Sequence, residues 1–287
     1  MTRGLWPALP ALGLVAAMTV VPLGIMAVVS VLSPAPWGGV QAPLSAAGWQ
    51  GLAFRQDVLE GTLHLSADHL LIYARSFALA LATTAICLVL GFPLAWVIVT
   101  RPPAQRRLWL LAVTVPFWTS LLVRTLAMML VLGDQGVLNT GLQRLGLIAA
   151  PLPLLYNDAA VLAGLVYAAL PFMVLPVYAA LARMDAALVE AAADLHASRW
   201  QILRQVLWPM ARPGVLSGAV LVFVPTLGAY VVPLILGGGR AMMAGDLIAL
   251  QFGAGRNWPL GAAEAMVLLA LLGLAFALRR LLAGRVS

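Results

Sequence analysis

The chain has 287 residues, 63% of them hydrophobic and only 9% charged, with a mean hydropathy of +0.99. A soluble domain is nearer half apolar and a quarter charged, so a soluble fold would leave apolar surface with nothing to cover it. The net charge of +7 comes from Arg residues dispersed between apolar runs, whereas a nucleic-acid binder clusters its basic residues on one polar face, so nucleic acid is excluded as a partner.

Six stretches reach the length of about 20 apolar residues that a bilayer core requires. In chain order they are approximately Ala8–Leu32, Leu71–Val99, Leu108–Leu132, Ala160–Leu181, Val215–Leu236 and Leu260–Leu278. The first far exceeds the ~7–15-residue apolar core of a signal peptide, and Pro34 and Pro36 crowd its only cleavage-like site; it is read as a retained helix. The segment 33–70 is the longest polar stretch, with Pro, Gly and Trp early, then Arg55-Gln56-Asp57, His64 and His69. The expected fold is an all-α integral membrane protein with six transmembrane helices. Residues 1–70 are the first transmembrane helix and an external segment. Residues 71–287 are a core transmembrane domain with a polar loop at 186–215.

Charge placement orients the spans, because basic residues concentrate on the cytoplasmic side. With the N-terminus inside, eleven of the seventeen Arg residues are cytoplasmic: Arg3, Arg101, Arg106, Arg107, Arg183, Arg199, Arg204, Arg212, Arg279, Arg280 and Arg285. Six of the ten acids, Asp57, Glu60, Asp68, Asp134, Asp158 and Asp246, fall outside. Both termini and the 186–215 loop are then cytoplasmic.

The composition also removes several chemistries. No Lys occurs, and a phosphate-binding Walker loop needs one, so Gly237-Gly238-Gly239 is a loop and no nucleotide cradle. Cys87 stands alone inside an apolar span, which rules out a disulfide framework or a cysteine metal cluster. His64 and His69 miss the i,i+4 spacing of a helical metal pair and are read as exposed loop histidines. No G-x-S-x-G elbow occurs. No catalytic or metal-ligating residue is assigned.

The polar loop carries the most information. Residues 186–195, AALVEAAADL, are alanine-rich and helix-forming, with Asp185 placed as N-cap. Ala191, Ala192 and Ala193 leave the backbone open to close approach by another protein. Trp200, Leu203 and Leu207 recur at helical spacing beside Arg199 and Arg204, and Pro209 and Pro213 are expected to break the chain before the next span.

This loop resembles the EAA loop of bacterial ATP-binding-cassette (ABC) importer permeases, the element that docks into the ATPase subunit. Glu190, Ala191, Ala192, Pro209, Pro213 and Gly214 match the pattern. His196 stands where the family usually has Gly, and Trp208 where it usually has Leu; histidine is among the non-glycine residues enriched at positive φ. The resemblance extends in order through Pro116-Phe117-Trp118-Thr119-Ser120 with Val123-Arg124-Thr125, Pro151–Tyr156, Gly164–Tyr167, Leu170–Met173, Phe223–Gly228, Pro233, Leu236–Gly238, Gln251-Phe252 and Trp258-Pro259. These look like spermidine/putrescine-type permeases; the first 70 residues contribute almost nothing.

The resemblance implies the type I ABC importer permease fold in a bacterial inner membrane. It implies no enzymatic activity in this chain and no cofactor bound by it, with ATP and Mg held by a separate ATPase dimer. Its other implied partners are a second, homologous permease chain and an extracytoplasmic solute-binding protein. The coupling-loop residues are Glu190, Ala191, Ala192, His196, Arg199, Pro209, Pro213 and Gly214.

Charged residues at membrane depth are functional suspects, which singles out Arg124 and Glu264; the bland alternatives are a structural ion pair and an interfacial carboxylate reaching water. Trp118, Tyr167, Phe223 and Tyr230 offer ring faces to a cation, against the alternative of lipid-facing or packing aromatics. Tyr230 stands out because Pro225, Gly228 and Pro233 surround it, and irregular backbone at membrane depth is tolerated where it lines a cavity or is buried in protein.

The resemblance points to a polyamine as solute. Two positions depart from it: Ala229 stands where some relatives have Glu, and Asn257 replaces Asp in Arg256-Asn257-Trp258-Pro259. An amino-acid derivative, a phosphonate or a ferric complex is the alternative within the same class. An ion-coupled secondary transporter is a further alternative, but spans two, four and five offer almost no ion ligands.

Overall fold

Helix α1 (Leu9–Val29) opens the computed structural model, which describes residues 9–56, 63–185, 187–239 and 241–283. Arg3, Asp57, Glu60, Ala186, Arg240 and Arg285 lie outside the described residues, as do the side chains of Arg55, Arg279 and Arg280. Among the described residues, five helical stretches are long and apolar enough to cross a membrane: Pro10–Val29, Asp68–Val99, Leu121–Arg144, Asp158–Leu181 and Arg199–Leu227, with Trp258–Leu274 a shorter apolar helix. The chain forms two compact units, one of residues up to Ile72 with those from Leu247 onward, the other Tyr73–Asp246.

The first unit adds short strands to the helical fold within the polar segment 33–70. After α1 come an antiparallel pair, β1 (Leu32–Pro34) and β2 (Val40–Leu44), helix α2 (Ala47–Ala53), and a second pair, β3 (Phe54–Gln56) and β4 (Leu63–Leu65). The turn from β1 to β2 uses Gly38 and Gly39 at φ 98° and 88°, a region open to glycine because it has no Cβ. Helix α2 packs on α13 (Trp258–Ala283). Gly48 makes that approach: a Cβ there would lie 2.7 Å from the Pro259 carbonyl oxygen.

The second unit is built on α7 (Asp158–Leu181). Asn157 caps it by accepting the Ala160 N–H at 2.8 Å. Asp158, in its first turn, suits the positive end of the helix dipole and also pairs with Arg75 on α3 (Asp68–Val99). Helix α7 is apolar on all sides. It buries Met173, Val177 and Leu181 against Ile98 of α3 and Val215 and Val222 of α10 (Trp208–Leu227). A second cluster joins Val161 and Leu165 of α7 to Val232 and Leu236 of α11 (Val231–Leu236). Small residues allow the closest helix approach in membranes, and a Cβ on Gly214 would fall 2.5 Å from the Pro176 carbonyl oxygen.

Two predicted spans are not single helices. Leu108–Leu132 divides into α4 (Pro103–Thr114), a 3₁₀ turn at Val115–Trp118 and α5 (Leu121–Leu132), because Pro116 has no N–H to continue the helical ladder. Val215–Leu236 divides at Gly228–Tyr230, where α10 stops and α11 starts; Pro233 likewise withholds a donor. Helix α6 (Val137–Arg144) follows α5 and is pinned by the buried Asn139, whose Nδ2 donates to the Gly133 and Leu152 carbonyls while Oδ1 accepts the Leu152 N–H.

Candidate functional site

The loop between α7 and α10 is two short helices joined by a tight turn. Asp185 accepts the Ala187 N–H through Oδ1 at 3.0 Å and opens α8 (Ala187–Asp194). The helix closes with the His196 N–H donating to Ala193 O and the Ala197 N–H to Ala192 O, the paired bonds of a Schellman stop. His196 holds the left-handed position of that stop at φ 57°, where glycine is most common. Ser198 then opens α9 (Arg199–Ile202) with a reciprocal capping box to Gln201. Glu190, Ala191 and Arg199 are exposed, and Leu195 (83% exposed) and Trp200 (68%) stand beside them.

Pro209 and Pro213 do not break the chain, contrary to the sequence expectation. Leu203–Leu207 form a π turn, in which the Trp208 N–H reaches back to Leu203 O, and helix continues through both prolines to Leu227. The widened turn shifts the hydrogen-bond register just before Pro209, so that the missing proline N–H and the ring clash are accommodated. One helical rod therefore connects Arg199 to Leu227.

The far end of that rod lines a cavity of about 400 Å³. Leu221, Val222, Pro225 and Thr226 of α10 form one wall, Gly228, Ala229 and Tyr230 of the helix break another, and Phe117, Arg124, Leu165 and Phe172 complete it. Phe117 and Phe172 meet edge to face at 4.8 Å. The Arg124 guanidinium lies 5.8 Å over the Phe117 ring. Its Nε and Nη1 are buried and have no hydrogen-bond partner among the described residues.

Of the predicted pathway residues, this cavity unites Arg124 and Tyr230. It does not include the others. Trp118 is exposed in the 3₁₀ turn and Tyr167 is exposed on α7, while Phe223 packs edge to face on Phe77 at 5.2 Å. Glu264 belongs to the first unit, where it is fully buried, so it does not reach water as an interfacial carboxylate would; His69 Nε2 lies 3.3 Å from its Oε1. That contact also corrects the reading of two exposed loop histidines. His64 is exposed, but His69 sits in the first turn of α3.

Sequence reasoning passed over Phe117 and Phe172 as lining residues. Both stand beside prolines, Pro116-Phe117 and Pro171-Phe172, and that adjacency to a helix-perturbing residue was the available signal.

Apolar helices long enough to cross a membrane, an exposed loop between α7 and α10 and a cavity beside a helix break are features of a multi-pass membrane protein. Residues 88–287 match the family described as binding-protein-dependent transport system inner membrane component, and the chain belongs to that family. It is similar to the spermidine/putrescine transport system permease protein PotB of Escherichia coli (strain K12), with 40% identity over 199 residues, 69% of this chain and 72% of that one. It is 34% identical over 215 residues to the inner membrane ABC transporter permease protein YdcU of the same organism, covering 71% and 68%. Its fold matches a chain of a crystal structure of a bacterial ABC transporter involved in the import of alginate, with TM-score 0.66, 16% identity and coverage of 96% and 95%. The chain is thus an inner-membrane permease subunit of an ABC importer.

Proposed function

We propose that this permease forms half of the pore of an ATP-driven importer for a small organic amine of the polyamine type. The loop α8–α9 docks into an ATPase dimer at the cytoplasmic face, and ATP and Mg bind in that dimer. A second, homologous permease chain forms the other half of the pore, and a binding protein outside delivers the solute. Similarity to the spermidine/putrescine permease over more than two thirds of both chains supports the solute class.

The observation that carries the mechanism is the continuous helical path from the docking loop to the cavity. Closure of the ATPase dimer pulls on Glu190 and its neighbours. The displacement travels through α9, the π turn and α10 to the cavity wall at Leu221–Thr226, since packed helices move as near-rigid bodies with two discrete arrangements. Exposed Leu195 and Trp200 supply apolar contact area, and the short side chains of Ala191 and Ala192 let the partner surface approach the α8 backbone.

The test is to purify the tagged chain gently from its native membrane, identify co-purifying subunits by mass spectrometry, and reconstitute the complex. Glu190→Lys should insert normally but lose solute-stimulated ATP hydrolysis. Unchanged uptake by that variant would remove the docking role. Repeated recovery of the chain alone, even with crosslinking, would favour an ion-coupled carrier.

A further inference from the structure

The cavity beside the helix break opens at the surface of this chain, since its lining residues Leu121, Leu221 and Tyr230 are exposed. Arg124 stands in its lining, in the first turn of α5 and within a stretch apolar enough to cross a membrane. Its Nε and Nη1 are buried without a hydrogen-bond partner among the described residues. Neither Asp nor Glu lines the cavity, and no carboxylate pairs with Arg124 among the described residues. The Phe117 ring, 5.8 Å from the guanidinium carbon, attracts a cation through its quadrupole but carries no counter-charge. A cation at membrane depth with unmet donors is costly, and lipid chains closing the cavity would offer no acceptor. A polyamine is itself a cation, so its passage requires that Arg124 be neutralised by an anion that stays in the pore.

We propose that a carboxylate of the second permease chain enters this cavity and pairs with Arg124, so that the two chains complete the site together. This rests on the importer reading above and deepens it. A carboxylate matches the guanidinium in charge and in hydrogen-bond geometry. The volume of about 400 Å³ lies in the range for small-molecule sites, so an inserted Asp or Glu side chain leaves room for a slender cargo. With Arg124 paired, the Phe172 and Tyr230 rings that border the same space attract the ammonium groups of the passing polyamine by cation–π interaction.

The same pair selects the partner. Two identical chains related by a two-fold axis would use one patch on both sides, which brings Arg124 to the interface twice with no acid among the cavity's lining residues to match it. A second chain with an acid at the facing position removes that repulsion, and like-charge repulsion is a common means of excluding the wrong partner.

The complete importer is purified from its native membrane through the tagged chain, and the dissociation rate of the second permease is measured on the immobilised complex in detergent. Arg124→Gln should speed dissociation by at least about tenfold, because truncating one side of a buried charge pair acts mainly on the off-rate. Each Asp and Glu within the spans of the second permease is then replaced by its amide. One of these changes, which leave the present chain untouched, should reproduce the effect of Arg124→Gln and add little when combined with it. Putrescine uptake should fall in both single variants.

Unchanged dissociation in Arg124→Gln would overturn the proposal, as would strictly additive losses with every acid tested or a second permease with no acid within its spans. Recovery of the ATPase with two copies of this chain would overturn it as well. Co-purification of the ATPase is read on the same preparation, so loss of the ion pair is distinguishable from failure of the importer reading.

Discussion

His69 and Glu264, 195 residues apart in sequence, face each other with Nε2 of the histidine 3.3 Å from Oε1 of a carboxyl that is fully buried. The pair ties the start of α3 to α13 within one unit. Removing one partner of a buried pair costs far more than replacing both by apolar groups. His69→Leu should lower the thermal unfolding midpoint of the solubilised chain clearly. His69→Leu combined with Glu264→Leu should recover much of that loss, with a coupling above about 1 kcal/mol. Strictly additive losses would show that the contact is incidental.

Gly214 is required by the crossing of α7 and α10. A Cβ there would meet the Pro176 carbonyl oxygen at 2.5 Å and the Ala180 Cβ at 2.7 Å, and neither is the flexible end of a side chain. Gly214→Val should destabilise by about 1–3 kcal/mol, the usual scale of overpacking, measured by unfolding in detergent. A neutral result would mean the two helices separate at no cost.

His196 holds a left-handed backbone at φ 57°, a conformation that costs a side-chain-bearing residue roughly 1 kcal/mol or more relative to glycine. His196→Gly should therefore raise stability slightly and keep solute-stimulated ATP hydrolysis. His196→Val should lower both, because a β-branched residue fits this region poorly. A drop in hydrolysis with glycine would assign the imidazole itself a role in docking.

Asp246 lies in α12 (Ala244–Phe252), outside the long apolar helices. It is buried; its Oδ2 accepts the Met243 N–H at 2.9 Å, and its Oδ1 has no hydrogen-bond partner among the described residues. Burial pushes the carboxyl up to about 6, with the Met243 N–H acting in the opposite direction. An unfolded Asp titrates near 3.9, so within the interval up to about 6 the folded chain keeps a proton that the unfolded chain has released. This group's contribution to stability therefore falls as pH rises through that interval and is level above it. Asp246→Asn should flatten that part of the curve of unfolding midpoint against pH. An unchanged slope would place the titration elsewhere.

The membrane class and the local backbone of the loop between α7 and α10 were legible in one dimension. Run length and Arg placement are properties of consecutive residues, and Glu190-Ala191-Ala192 through Gly214 form a local pattern. The capped start at Asp185 and the positive φ at His196 likewise follow from local backbone chemistry. The helix break around Tyr230 was visible from Pro225, Gly228 and Pro233. The small strands were not, since Leu32–Pro34 and Leu63–Leu65 are too short to establish an alternating pattern.

The sequence by itself determined that this chain is a multi-pass permease with a polar, alanine-rich loop of two short helices, because hydrophobic length and loop chemistry depend on neighbours along the chain. Only the tertiary structure decided which rings meet Arg124, that its Nε and Nη1 have no hydrogen-bond partner among the described residues, that Glu264 turns to His69, and that Pro209 and Pro213 are absorbed into one rod. Helices apolar on all sides mark no preferred face. Which residues share a cavity is set by helix rotation, by proline and π-turn offsets, and by the glycine contacts that fix how closely α7 and α10 cross.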